Sequence, residues 1–254
     1  MKDLTILKIG GSVLTHKHDE RSLRTDMINQ VANEIADVQR DGLILVHGAG
    51  SYGHPQAAKH FSIEKDLAAD AFAVFDINAN VMELDMYFVS HLVDSKAPAV
   101  ALHPMNFTLL DEGRIHSMMT EQIVEMLKRD FIPVLHGDVV FDRKQGYAIL
   151  SGDQIVSYLA RELGARRVGV AVDVDGVMGK EGELIEHITP RNLDEVNFTE
   201  SSTIDVTGAM RGKVRELLEL AEAGIDSYIF NGMKKGNIKR WLEGEKILST
   251  HISD

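Results

Sequence analysis

The sequence contains no cysteine, which excludes a disulfide, a thiolate zinc site, an iron–sulfur cluster and a cysteine nucleophile. It is short of positive charge: 27 lysines and arginines stand against 39 aspartates and glutamates, a formal charge of −12. That balance argues against nonspecific binding to nucleic acid or an anionic membrane, whose phosphates would be repelled, and leaves room only for a locally basic pocket. No stretch approaches the roughly 18–20 uninterrupted apolar residues of a membrane span. The opening segment MKDLTILKIGGSVL is broken by charge and glycine and does not read as a signal peptide, so a soluble cytoplasmic protein is expected. Five prolines are scattered, and no linker, repeat or low-complexity tract divides the chain. What is present is ordinary for a globular protein: 254 residues, 44% of them hydrophobic and 26% charged, enough to bury a substantial core. One domain over 1–254 is expected.

Short β-rich runs alternate with longer helical patterns. Strands are predicted at Leu4–Ile9, Leu43–His47, Ala99–Leu102, Ile132–Leu135, Val168–Val172, Ser227–Phe230 and Lys246–Ser249, most of them bounded by glycine, proline or aspartate. Helices are predicted over 24–40, 66–96, 117–129, 152–163, 209–223 and 235–242. In the longest of these, Phe72, Phe75, Met82, Met86 and Val89 recur at near-helical spacing. Glycine-bounded stretches near 105–115 and 139–148 read as small hairpins. Strand–helix alternation requires right-handed crossovers, hence a mostly parallel sheet covered on both faces.

Two glycine loops leave strands directly: Lys8-Ile9-Gly10-Gly11-Ser12 after the first, and His47-Gly48-Ala49-Gly50-Ser51-Tyr52-Gly53-His54 after the second. Glycine lets the backbone approach a ligand and turn N–H groups toward one point, and a helix start adds partial positive charge, so such loops suit an anion. A single Gly-Gly is equally a tight turn. Two such loops on neighbouring strands, one carrying Lys8 and the other ending in His54, point to phosphate. Gly48, Gly50 and Gly53 also spell G-x-G-x-x-G, but the dinucleotide fingerprint needs a following strand and an acidic residue about 20 residues on. Here Glu64 to Asp70 runs into the long helix. No G-x-x-x-x-G-K-[ST] occurs anywhere, so nucleotide-dependent phosphoryl transfer would need another cradle.

KIGGS at 8–12, HGAGSYGH at 47–54, HGD at 136–138, SGDQ at 151–154, DVDGV at 173–177 and DVTGAMRGK at 205–213 resemble, in this order, the amino-acid kinase superfamily. Within it they are most similar to the isopentenyl phosphate kinases, which phosphorylate isopentenyl phosphate with ATP. The resemblance covers nearly the whole chain, and the loop ending in His54 is its most specific part, shared with the fosfomycin-type kinases. It implies a three-layer αβα sandwich around a mostly parallel open sheet, a homodimer, an acceptor site in the N-terminal half (about 1–165) and a nucleotide site in the C-terminal half (about 166–254). Two positions depart from the pattern: Ala209 stands where a second glycine usually follows DVTG, and Ala49 where the second loop commonly has glycine. Each requires a backbone that glycine alone does not monopolise.

The implied reaction joins the terminal phosphate of ATP to a second phosphate. The acceptor oxygen is already ionised, so repulsion between anions is the obstacle, and lysines, loop amides and a hydrogen-bonding histidine are the expected means, with Mg2+ carried on the nucleotide. Lys8 ends the first strand within reach of both loops. By resemblance Lys17 supports the transition state, Asp153 organises the active-site lysines, Lys213 contacts the ATP phosphates and Gly208 lets the DVTG loop approach them. Gly10, Gly11, Ser12 and Gly50 are the expected phosphate cradle, with Asp173 and Asp175 at the nucleotide site. Ala49, Gly50, His54 and a Gly137 N–H are expected on the acceptor, His54 because imidazole can donate to a phosphate and gain charge near neutral pH. His47 and His136, ending apolar strands, are expected to be structural. His16-Lys17-His18 lacks carboxylates at ligand spacing, and no protein-held metal is expected. The Phe72, Phe75, Met82 and Met86 stripe reads either as core or as the wall of an apolar pocket. No arginine occurs between residues 48 and 110, which disfavours a carboxylate acceptor and favours an apolar tail. Three rivals remain: a kinase for fosfomycin or another alkyl phosphate, a noncatalytic nucleotide-binding protein, and an NAD(P)-linked oxidoreductase.

Overall fold

The structure, a computed structural model, describes residues 3–17, 19–38, 41–61, 71–179, 181–193 and 209–254. Among the described residues eight strands form the main sheet: β1 (Thr5–Ile9), β2 (Leu43–His47), β3 (Ala99–Ala101), β6 (Ile132–His136), β9 (Arg167–Val172), β10 (His187–Ile188), β11 (Asp226–Asn231) and β12 (Ser249–Ile252). Their order is β10-β12-β11-β9-β1-β2-β6-β3, with only the β11–β12 pair antiparallel. A second sheet, order β5-β4-β7-β8, is built from β4 (Thr108–Asp111), β5 (Arg114–Met118), β7 (Asp138–Asp142) and β8 (Gly146–Leu150).

Every residue of β1, β2 and β6 is buried, as parallel strands covered on both faces require. Alternation sorts their side chains. Leu7, Ile9, Leu43 and Leu45 pack toward α2 (Thr25–Ala36), α4 (Ala71–Asp94) and α8 (Asn237–Leu242), through Ile28, Leu84, Phe88 and Trp241. Ile6, Ile44 and Val46 pack on the opposite face with α6 (Gly152–Leu163), α7 (Ala209–Glu222) and the second sheet. Lys8 shares parity with Ile6 and points to the α6 face, whereas His47 shares parity with Leu45 and points to α4. The three layers expected from the resemblance are present. Among the described residues no helix is long and apolar enough to cross a membrane.

Of the stripe read on the long helix as core or pocket wall, Val89 is buried but Phe72, Phe75 and Met86 are not. Phe72, Phe75 and Met86 are 84%, 70% and 54% exposed, and the inward face is instead Ala73, Ile77, Val81, Leu84, Phe88 and Leu92. Two apolar stripes run along α4 at helical spacing, and periodicity alone does not say which one meets the sheet. The helix predicted over 117–129 begins only at Glu121, as α5 (Glu121–Leu127), because residues 114–118 pair with β4. The last strand lies three residues later than predicted, since antiparallel pairing sets Thr250 against Ile229. The helix α3 (His54–Phe61) was not anticipated, and the start predicted at 66 lies outside the described residues.

Candidate functional site

The parallel strands β1, β2, β6, β9 and β11 end on one edge of the sheet, where open α/β folds place their ligands. The two glycine loops meet there backbone to backbone. A Cβ on Gly11 would lie 2.4 Å from the Gly50 nitrogen, and one on Gly48 would lie 2.7 Å from the Gly11 nitrogen. Gly50 also has φ +52°, with its missing Cβ 2.3 Å from Thr15 Oγ1. The first reason for these glycines is therefore the contact of the loops with each other. Gly11→Ala is expected to cost about 1–3 kcal/mol through overpacking against a backbone that cannot yield, read as a lowered Tm with activity lost alongside; an unchanged Tm would contradict the contact. Ala49 has φ −67° and ψ −25° and Ala209 opens α7, so neither alanine occupies a glycine-only conformation.

Several amides expected to face a ligand are already engaged. Gly10 donates to the Ala171 carbonyl, Gly48 to that of Ile9 and Gly137 to that of His47, at 2.8, 3.0 and 3.0 Å. The Gly137 N–H expected on the acceptor is thus committed to the end of strand β2. A neighbour's carbonyl, invisible to motif reading, claims it. By contrast, Gly11 and Ser12 open α1 (Gly11–Leu14), and Gly50 opens a short 3-10 turn over Gly50–Tyr52. Helix starts of this kind leave N–H groups without intrahelical acceptors.

The charged centre is a lysine–aspartate–lysine cluster. Asp153 sits in the first turn of α6, which is opened by Ser151 accepting the Gln154 N–H at 3.2 Å. Its two oxygens are 2.7 Å from Lys8 Nζ and 3.4 Å from Lys213 Nζ. Gly152 makes room for this arrangement, because a Cβ there would lie 3.0 Å from Lys8 Cε. Lys8 is only 4% exposed. Burial lowers its pKa to about 8, opposed by Asp153 and assisted by the charge of Lys213. Burial pushes the Asp153 pKa upward, but the two lysines overcome it and hold the carboxyl below its usual range. Lys213 lies on the first turns of α7, where a cation opposes the helix dipole and an anion would relieve it.

His54 begins α3 at the end of the second loop. It is open to solvent, yet the protein crowding it lowers its pKa, followed by the charges of Lys213 and Lys8. The sequence reading made it a donor that could gain charge near neutral pH; the crowding and the charges of Lys213 and Lys8 disfavour that charge in the ligand-free protein. Lys17 pairs with Asp173 at 2.9 Å, both partly exposed. That carboxyl is depressed by Lys17 and by Ser12, against the effect of burial. Asp175 is farther along, held by Lys234 at 2.7 Å and by Asn231 at 3.1 Å, with its pKa lowered chiefly by Lys234. Gly208 lies outside the described residues.

The structure therefore gathers Lys8, Asp153 and Lys213, sets His54 within their electrostatic reach, and joins Lys17 and Ser12 to Asp173. Asp175 forms a separate pair. Sequence reasoning missed Lys234, whose signal was the glycine-flanked NGMKKG segment after a predicted strand. It also missed Asp138 of the HGD motif. This carboxyl accepts both contacts of the Asn78 amide, at 3.0 and 3.1 Å, and burial raises its pKa to about 6 against those bonds and the Val139 and Met105 N–H groups.

A strand-edge site of converging lysines and glycine loops on this sheet defines a phosphate-handling α/β protein, and the family profile described as "Amino acid kinase family" matches residues 3–231. The chain belongs to the amino acid kinase family. It is 36% identical to the isopentenyl phosphate kinase of Methanothermobacter thermautotrophicus over 98% of this chain and 99% of that protein. It is 37% identical to the isopentenyl phosphate kinase of Methanocaldococcus jannaschii over 95% of this chain and 96% of that protein. A crystal structure described as "X-ray structures of isopentenyl phosphate kinase" superposes with a TM-score of 0.87 at 32% identity, covering 98% of this chain and all of the other.

Proposed function

We propose that this protein is an ATP-dependent isopentenyl phosphate kinase, transferring the γ-phosphate of ATP to the phosphate of isopentenyl phosphate to give isopentenyl diphosphate and ADP. The observation that carries the reading is the half-buried carboxylate of Asp153 holding Lys8 and Lys213 within electrostatic reach of His54. Two cations on one anion leave a net positive centre, which is what two approaching phosphates require. The N-terminal half supplies the acceptor side through the second loop and His54. The C-terminal half supplies the nucleotide side through Asp173, Asp175, Gly208 and Lys213, and the chain acts as a homodimer.

The acceptor oxygen is the nucleophile and needs no base. Lys8 and Lys213 lie across the gap between the two phosphates and offset their repulsion, the main barrier to in-line transfer. Lys17 is half exposed and can exchange Asp173 for a phosphate oxygen as charge moves toward ADP. Gly10, Gly11, Ser12 and Gly50 form the backbone cradle, with Ala49 and Gly137 shaping the acceptor end. Asp153, Asp173 and Asp175 are each bound to a lysine. This donor set fits Mg2+ arriving on the triphosphate, mostly water-ligated; when bound, the ion supplies charge neutralisation on the β- and γ-phosphates. Phe72 and Phe75, about two turns and one turn before Asn78 on α4 and exposed to solvent, are apolar surface that a five-carbon tail can cover, at about 0.8 kcal/mol per buried methylene.

An acceptor panel with ATP tests the reading. Isopentenyl phosphate is expected to release ADP far faster than fosfomycin. Turnover of fosfomycin without isopentenyl phosphate would establish the other kinase class, and no ADP release with any acceptor would establish a binding protein.

A further inference from the structure

His47 and His136 occupy matched places. They end the adjacent parallel strands β2 and β6 and are register partners. Both are fully buried, and their rings lie 5.6 Å apart on the α4 face of the sheet, opposite the face that carries Lys8. In each, ring Nδ1 is 3.1 Å from the carbonyl oxygen of the glycine that follows, Gly48 or Gly137. A carbonyl can only accept, so both Nδ1 atoms carry the hydrogen. The other ring nitrogens are also committed. His47 Nε2 is 3.0 Å from Asp85 Oδ1, and His136 Nε2 is 3.0 Å from His103 Nδ1.

The contacts fix the protons that face the glycines. His47 donates from Nδ1 to Gly48 O, and one proton lies in its Nε2 contact with the fully buried Asp85 carboxyl. His136 is neutral, donates from Nδ1, and receives the His103 Nδ1–H at Nε2. Burial holds its pKa down to about 4 against the charge of Asp85, in keeping with a neutral ring. The His47 carbonyl in turn accepts the Gly137 N–H. Nothing in the phosphoryl-transfer chemistry uses these four side chains, yet His47 and His136 are bonded to the main chain of both acceptor-side segments, and Asp85 and His103 hold their other ring nitrogens.

We propose that His47, Asp85, His103 and His136 are positioning residues for the acceptor site: by holding the Gly48 and Gly137 carbonyls on the α4 side, they fix the 48–54 loop that ends in His54. A trans peptide keeps its N–H opposite its C=O, so the His47–Gly48 bond turns the Ala49 N–H away from α4. The proposal rests on the kinase reading above for what the loop binds, but not for the proton arrangement itself. A buried metal is the competing use of the cluster, because Asp85, His103 and His136 each bring one ligand atom to within 4.8 Å of the others. The 3.0 Å His103–His136 contact is a donor–acceptor pair and occupies a lone pair such an ion would need.

Two substitutions separate positioning from mere filling of the core. Asparagine reproduces the donor at the δ position of histidine, and glutamine moves it to the ε position. His47→Asn is expected to keep the KM for isopentenyl phosphate within about threefold, whereas His47→Gln raises it by about tenfold or more, the scale of one hydrogen bond to a charged network. Both variants lose Tm, and both leave the KM for ATP unchanged. Equal effects of the two on acceptor KM, or a parallel rise in the KM for ATP, would overturn the proposal. Should neither variant fold, 15N spectra of the unmodified ligand-free protein decide. Hydrogens on Nδ1 of both His47 and His136 support it; either ring lacking its Nδ1 hydrogen, or a stoichiometric transition metal in the purified protein, defeats it. Those spectra need no substrate, so failure of isopentenyl phosphate as acceptor would remove the functional reading and leave the ring protons measured.

Discussion

Asp153→Asn is expected to lower kcat/KM at pH 7 by at least about tenfold, with the deficit widening at pH 8 and narrowing at pH 6. Lys8 is the group through which the substitution acts. Its ammonium is buried, and burial alone would strip the proton; the Asp153 charge and hydrogen bond are what hold the pKa up at about 8. Asparagine keeps the shape and removes the charge, so the Lys8 pKa falls further and the deprotonated amine becomes the resting form near neutrality, at a cost of tenfold per unit of pH above the new value. In the unmodified enzyme the alkaline limb of kcat/KM, which reports groups of the free protein, is expected near pH 8, and in the variant it moves to lower pH. An unmoved limb would show that Lys8 is not the group being titrated. Stability carries a separate sign. Folded Lys8 titrates below its unfolded value of 10.5, so between about pH 8 and that value the unfolded chain holds the proton that the folded one has released. The Lys8 contribution to stability therefore rises with pH across that window. The Asp153 carboxyl, depressed by both lysines, contributes stability that is present above its unfolded pKa and lost as pH falls through the folded value.

Much of this arrangement was legible in the residues, and the parts that were not share a cause. Strand β1 was legible because an apolar run ends in Gly-Gly, and the burial of its alternate positions follows from period two; Lys8 falls on the face of Ile6 by that rule alone. The pairing of Lys8 with Asp153 spans 145 residues and entered only through family likeness, since no local spacing brings strand β1 to the start of α6. The stripe of α4 stayed open between core and pocket wall because both of its apolar faces have helical period, and the sheet it packs against is assembled from strands elsewhere in the chain. The Gly137 amide was misassigned for the same reason: its acceptor, the His47 carbonyl, belongs to a neighbouring strand. His47 and His136 read as structural from their place at the ends of apolar strands, and burial bears that out. Their partner Asp85, in the middle of a helix with no motif around it, gave no signal at all.

His54→Ala is expected to reduce kcat with isopentenyl phosphate by about 10²–10³-fold, the range for removing one donor from a developing charge, while leaving ATP affinity within a factor of about two. The glutamine variant then separates hydrogen bonding from charge. In the ligand-free protein His54 is held neutral by crowding and by Lys213 and Lys8, so a neutral donor of similar reach should recover a large part of the lost rate if the hydrogen bond is what matters. If instead the arriving phosphate raises the ring's pKa enough to protonate it, glutamine recovers little, and the 15N or 1H shift of His54 moves toward the imidazolium value on adding the acceptor phosphate at pH 7. The two lysines argue for the first outcome before binding. The acceptor's own charge, placed against the ring, argues for the second after it. Rate and titration measured on the same sample therefore state which species transfers the phosphate, and a His54→Ala enzyme with undiminished turnover would remove the residue from the site altogether.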